Sequence, residues 1–218
     1  MKLAFLILQF LLLGTSGAQI IQLYDPVANR PFNAEKYSGI RGTPFLTDKW
    51  YKGNVVTTKG IYKNLELKLD VYDSKLYFNN NDESFEFQDP VLSFTLMPKP
   101  ADSSTYMHFI KGVTGNSLSQ NQFVQVLVKG NITLYKSDIK SLTEMSEINA
   151  GIVKTFITTS RYYLSKDNVL SLIKISKADI MPFLKNQEDK INAYLSQYKL
   201  SLRKEDELIE IIAYYNLL

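Results

Sequence analysis

Leu65-Glu66-Leu67-Lys68-Leu69-Asp70-Val71 places an apolar side chain at every odd position and a charged one at every even position. A period of two is the pattern of a β-strand with one face in a core and the other in water. Outward from this stretch the alternation recurs in short runs. Strands are expected over residues 50–57, 61–72, 75–78, 84–88 and 91–97. Between them lie Lys59-Gly60, Asp73-Ser74, Asn79-Asn80-Asn81-Asp82 and Asp89-Pro90. Asn, Asp and Gly tolerate positive φ or close Asx-turns, so these are turns. A turn roughly every ten residues is the signature of an all-β meander.

Past a loop at 98–104 the alternation resumes, with Tyr106, His108 and Ile110 on one face and Met107 and Phe109 on the other. Residues 112–122 are polar and read as a loop. A hairpin is expected over Lys129-Gly130-Asn131, joining 123–128 to 132–135. Residues 136–151 are charged and weakly patterned, either a surface excursion or a short helix. A last hairpin pairs 154–164 with 169–174 around Lys166-Asp167-Asn168. Before the meander, Ile20, Ile21, Leu23 and Tyr24 form a candidate edge strand, which Asp25-Pro26 and Arg30-Pro31 break.

The tail changes period. Ser176 with Asp179 resembles a capping box, and Pro182 is expected to end or kink that helix early. Ile191, Tyr194, Leu195 and Tyr198 are spaced i, i+3, i+4, i+7, and so are Leu208, Ile211, Ile212 and Tyr215. Each set gives one apolar stripe on an amphipathic helix, and the mixed charges between them read as a solvated face. The expected fold is therefore mainly β (α+β): an antiparallel meander sheet or partly open barrel with C-terminal amphipathic helices. One domain spans 19–218, with the sheet over 19–174 and a helical tail packed on it over 175–218.

The N-terminus reads as a secretory signal over residues 1–18. Lys2 precedes an apolar run from Leu3 to Leu13, interrupted by Gln9, and Ser16 and Ala18 are small residues before a cleavage point ahead of Gln19. The run is shorter than the roughly 20 residues of a spanning helix. No later apolar run is long enough either, so no transmembrane segment is expected in the mature chain. The expected address is the periplasm, the cell surface or the extracellular space.

Composition narrows the function classes. The formal charge is +3, or +2 once Lys2 is removed, and the four arginines (Arg30, Arg41, Arg161, Arg203) are scattered. A nucleic-acid binder needs a concentrated basic face, so nucleic acid is excluded as a partner. The chain has no cysteine, so it has no disulfide and depends on a packed core. In a bacterial envelope protein the sequon Asn131-Ile132-Thr133 is simply part of a hairpin turn.

No catalytic, cofactor-binding or metal-binding residue is assigned. The single histidine, His108, lies in an apolar strand with no G-x-S-x-G or comparable partner setting. With no Cys and one His, the usual zinc, copper and non-haem iron ligand sets cannot be assembled. Asn79-Asn80-Asn81-Asp82-Glu83, with Glu86 close by, offers oxygen ligands but lacks the order of a calcium loop and reads as a hairpin turn. Asp82, Glu83, Glu86, Asp89, Glu144 and Glu147 are the carboxylates available for a glycosidase-like pair, with no motif behind any two of them. Gly39-Ile40-Arg41-Gly42 and Gly112-Val113-Thr114-Gly115 match no phosphate-binding loop.

Gly42-Thr43-Pro44-Phe45-Leu46, Lys68-Leu69-Asp70-Val71-Tyr72, Gln125-Val126-Leu127-Val128-Lys129-Gly130, Leu134-Tyr135-Lys136, Arg161-Tyr162-Tyr163-Leu164 and Tyr214-Tyr215-Asn216-Leu217-Leu218 occur in that order. Together they resemble a group of uncharacterised exported proteins of Bacteroidetes-type bacteria, over most of residues 40–218. The group has no established activity, so the resemblance implies location and architecture and assigns no residue a role. The expectation is an exported cell-envelope protein acting as a non-catalytic binding or structural module. A periplasmic carrier of a lipid or other hydrophobic ligand is the alternative, and a carboxylate-based hydrolase is third. The partner classes left open are an envelope protein and a hydrophobic small molecule.

Overall fold

A computed structural model describes residues 30–115, 118–148 and 151–218. The expected signal segment over 1–18 and the candidate strand at Ile20–Tyr24 lie outside the described residues. The chain is mainly β, with one large open sheet and a C-terminal helical region. Its strands are β1 (Arg30–Pro31), β2 (Ile40–Arg41), β3 (Tyr51–Thr57), β4 (Ile61–Asp70), β5 (Lys75–Asn80) and β6 (Glu83–Glu86). They continue with β7 (Val91–Met97), β8 (Met107–Ile110), β9 (Val124–Val128), β10 (Ile132–Glu147), β11 (Gly151–Lys166) and β12 (Val169–Ile173). The spatial order is β1-β6-β5-β4-β3-β7-β8-β9-β10-β11-β12, antiparallel along that path, with β2 added in parallel beside β11.

Turn chemistry sets the register. Asn81 and Asp82 (φ 51° and 66°) make the two-residue link between β5 and β6, and Asp167 and Asn168 (φ 51° and 62°) make the one between β11 and β12. Two successive positive φ values give the turn whose twist matches paired strands, and Asn and Asp tolerate it. Within β4, Asn64 (φ 58°) takes a bulge position and donates its N–H to Asn54 Oδ1 at 3.0 Å. The bulge changes which parity points inward, so Tyr62 is buried along with Leu67 and Leu69. Gly53 is needed where β3 meets β4 and β7: a Cβ there would lie 2.3 Å from the Thr95 carbonyl oxygen.

Two cores sit on this sheet. The first fills the curl of β3–β8 and is rich in aromatic rings, among them Phe78, Phe85, Phe87, Phe94 and Phe109. Phe94 and Phe109 are cross-strand neighbours stacked at 4.8 Å. The second lies under β10–β12 and is closed by α1 (Lys177–Leu184), α2 (Glu188–Tyr198) and α3 (Glu205–Leu217). Leu208, Ile211, Ile212 and Tyr215 are all buried there, as the i, i+3, i+4, i+7 stripe requires. On α2, Ile191 and Leu195 are buried while Tyr198 is exposed. No helix among the described residues is long and apolar enough to cross a membrane.

Three details depart from the sequence reading. Asp70 is not on a wet face: it is fully buried, because the segment from Tyr37 to Trp50 lies across the outer side of β4. Arg30-Pro31 does not only break a strand; it forms β1 at the sheet edge, where a missing N–H removes no ladder bond from a central strand. Residues 136–147, expected as an excursion or short helix, continue β10 in an unbroken register with β11 from Ile132↔Lys166 to Glu147↔Gly151. Their polar–polar composition reflects a ribbon that runs beyond the neighbouring strands. As expected, the helix carrying Pro182 ends early: α1 stops two residues later at Leu184, and a 3-10 turn at Lys185–Gln187 joins it to α2.

The candidate ligand groove

The turn after β4 carries the first wall. Asp73 donates its N–H to Asp70 Oδ1 at 2.9 Å, while Tyr37 donates its hydroxyl to Asp70 Oδ2 at 2.6 Å. Asp73 is ion-paired with Lys36. Ser74, at φ 55°, accepts the Phe123 N–H at 3.3 Å, joining this turn to the loop before β9. Burial raises the Asp70 carboxyl above its ordinary range, against the Tyr37 hydrogen bond and the Lys36 charge, which lower it. Burial likewise raises the hydroxyl pKa of Tyr37, aided by the neighbouring Asp70.

A groove of about 510 Å³ opens beside that turn. Its charged lining is Asp73, Lys75, Glu86, Lys111 and Lys140, drawn from the β4–β5 turn, β5, β6, the end of β8 and β10. Lys75 donates to Glu86 Oε2 at 2.8 Å across the sheet. Lys111 follows β8, holds the Leu92 carbonyl through its N–H at 2.9 Å, and sets its ammonium 4.2 Å from the centre of the Phe123 ring. Burial lowers the Lys111 pKa, and the charge of Glu86 offsets part of that shift. Hydroxyl and amide groups of Ser119, Asn121 and Gln122 complete the lining. Gln122 is fixed by donating Nε2 to the buried Ser137 hydroxyl at 2.8 Å.

Val71 and Ser74 wall both the groove and an internal cavity bounded by Leu46, Leu69, Phe109, Phe123 and Asp138. That cavity holds about 10 Å³, room for no more than one water.

The residues considered from sequence are dispersed. His108 is exposed on β8, with Nδ1 2.8 Å from Oγ1 of Thr95, its cross-strand neighbour. Asp82 and Glu83 belong to the β5–β6 hairpin. Glu86, Asp89, Glu144 and Glu147 each hold a separate cation: Lys75, Lys59, Lys154 and Arg41. Among the described residues no three His, Asp or Glu side chains are gathered in a metal-holding group. Sequence reasoning missed Lys111 and Lys140. The first ends a strand in front of a polar loop, and the second lies on a ribbon with no hydrophobic period to orient it.

A second surface is the far end of the β10–β11 ribbon, where Met145, Ile148 and Ile152 are 66%, 93% and 71% exposed. The N-terminal segment straps this ribbon to the sheet. β2 pairs with Lys154 and Thr155, Arg41 forks onto Glu147 at 2.5 and 2.9 Å, and Tyr37 packs edge-on against Phe156 at 5.6 Å.

No protein-family model matches this chain, and neither a curated protein nor a solved structure matches it.

Proposed function

We propose that this chain is an exported, non-catalytic binding module of the bacterial envelope that takes a polar small ligand in the groove beside the β4–β5 turn. The observation that carries the reading is the contrast between the two spaces. The polar groove, about 510 Å³, falls within the range of ordinary small-molecule sites. The internal cavity behind it, about 10 Å³, has no room for an acyl chain. A carrier of hydrophobic ligands needs inward apolar side chains that its core leaves unpacked. Here Phe78 packs on Phe87 and Phe94 stacks on Phe109 instead. A hydrolase needs a general acid and base facing one substrate, and the acidic groups beside the groove are engaged by Lys36 and Lys75.

A thermal-shift screen of polar metabolites and lipids against residues 19–218 tests this. Binding to the native state raises the melting temperature by mass action. The expected result is stabilisation by polar compounds that disappears in Ser119→Trp, which fills the groove. Stabilisation by lipids alone would overturn the reading in favour of the carrier.

A further inference from the structure

We infer that the groove selects an anion, a small hydroxylated molecule bearing a carboxylate or phosphate, and that Lys111 and Lys140 are the residues that hold its charge. The inference rests on the binding-module reading and goes on to name the ligand class. Three lysines and two carboxylates line the groove. Both carboxylates are already matched: Glu86 by Lys75, and Asp73 by Lys36, which reaches it from the N-terminal segment. Among the described residues, Lys111 and Lys140 have no carboxylate within ion-pairing distance, although both are partly withdrawn from water. An ammonium removed from water without a counter-charge is unfavourable, and the environment of Lys111 already disfavours its charged form. The Phe123 ring face supplies only part of the compensation. A bound anion supplies the rest.

The remainder of the lining is suited to hydroxyl groups. Ser119, Asn121 and Gln122 offer both donors and acceptors, and Gln122 is held in place by Ser137. A bare inorganic ion would leave these groups to water, whereas a hydroxylated acid engages both sets. The site reads charge through Lys111 and Lys140 and hydroxyls through the 119–122 loop.

The test is an amide-resolved NMR titration of residues 19–218 with glucose, glucuronate, glucose 6-phosphate and inorganic phosphate. The same titrations are run on Lys111→Gln/Lys140→Gln, on Lys111→Arg, and on the α2 surface control Lys190→Gln. The expected result is perturbation of amides at 72–75, 119–122 and 139–140 by the two acidic sugars, at least about tenfold more tightly than by glucose, the scale of one charge-assisted hydrogen bond. Stronger binding by glucuronate or by glucose 6-phosphate distinguishes a carboxylate from a phosphate site. That preference is lost in the double Gln variant, kept in Lys111→Arg and Lys190→Gln, and weakened by added salt. A wild-type spectrum in the double variant outside the groove shows that it is folded. Equal binding of glucose and the acids overturns the anion inference while the groove remains a binding site. Inorganic phosphate binding as tightly as the acidic sugars overturns the hydroxylated part of the ligand class. Perturbation of groove amides by none of the four overturns both the inference and the reading beneath it.

Discussion

Asn216, near the end of α3, behaves as a strand partner for Ile132: its Oδ1 accepts the Ile132 N–H at 2.9 Å and its Nδ2 donates to the Ile132 carbonyl at 2.8 Å. Ile132 is fully buried at the start of β10, so both backbone groups depend on this one side chain. The same amide packs on Gly130, where a Cβ would lie 2.4 Å from Asn216 Cγ. The glycine of the β9–β10 turn and the last helix are thus fitted to each other across the second core. Asn216→Ala is expected to cost about 2–3 kcal/mol by leaving buried groups unsatisfied. Gly130→Ala is expected to be harmful in wild type and much milder on the Asn216→Ala background. A denaturation double-mutant cycle showing coupling above about 0.5 kcal/mol checks this, and additive effects would refute it.

The helical layer is integral to the fold and not an appendage. Ile211 is fully buried between α3 and the sheet. Ile211→Asp buries an unpaired carboxylate and is expected to destabilise the whole domain by ~3–5 kcal/mol. An unchanged melting temperature would show that α3 folds independently of the sheet.

Asp70 gives the chain a pH dependence of definite sign. Its carboxyl is raised by burial, so the folded protein holds that proton more tightly than the unfolded chain does. Its contribution to stability therefore falls as pH rises, from the ordinary aspartate value of about 3.9 up through the raised folded value. Asp70→Asn removes this slope and keeps polar partners for Tyr37 and the Asp73 N–H. Urea midpoints of both proteins from pH 4 to 8 are expected to diverge with rising pH, the variant being the more stable at the top. A variant weaker by more than about 1 kcal/mol at neutral pH would mean that the Tyr37 hydrogen bond and the nearby Lys36 charge outweigh the burial.

Strapped and free positions of the β10–β11 ribbon are expected to respond differently. Phe156 is buried, packed edge-on against Tyr37 and against Tyr72 at 5.3 Å, so Phe156→Ala is expected to cost about 3 kcal/mol. Met145→Ser with Ile152→Ser touches only exposed side chains, and chemical denaturation is expected to change by less than about 0.5 kcal/mol.

The fold was legible wherever one face of an element meets a core. β7 runs over the residues expected of it, and the Asn81-Asp82 and Asp167-Asn168 turns fall where their residue chemistry requires. The apolar stripe of α3 is buried in full. Legibility ended where a strand has no dry face or is covered by something distant in sequence. Residues 136–147 carry no hydrophobic period because the ribbon outruns its neighbours, leaving only the Ile132–Lys166 register to define it. Asp70 looks like a solvent-facing position until Tyr37, 33 residues earlier, is laid over it. The groove was hidden for a related reason. Lys75, Lys111 and Lys140 come from separate strands, and only the sheet order together with the Ser74–Phe123 contact brings their walls together.

Native mass spectrometry of the protein purified from its own host, paired with organic extraction, tests the central claim most directly. The account predicts the mass of residues 19–218 with a polar, water-extractable adduct that is absent from Lys111→Gln/Lys140→Gln. A reproducible lipid mass that partitions into organic solvent, or a chain retaining residues 1–18, would contradict it.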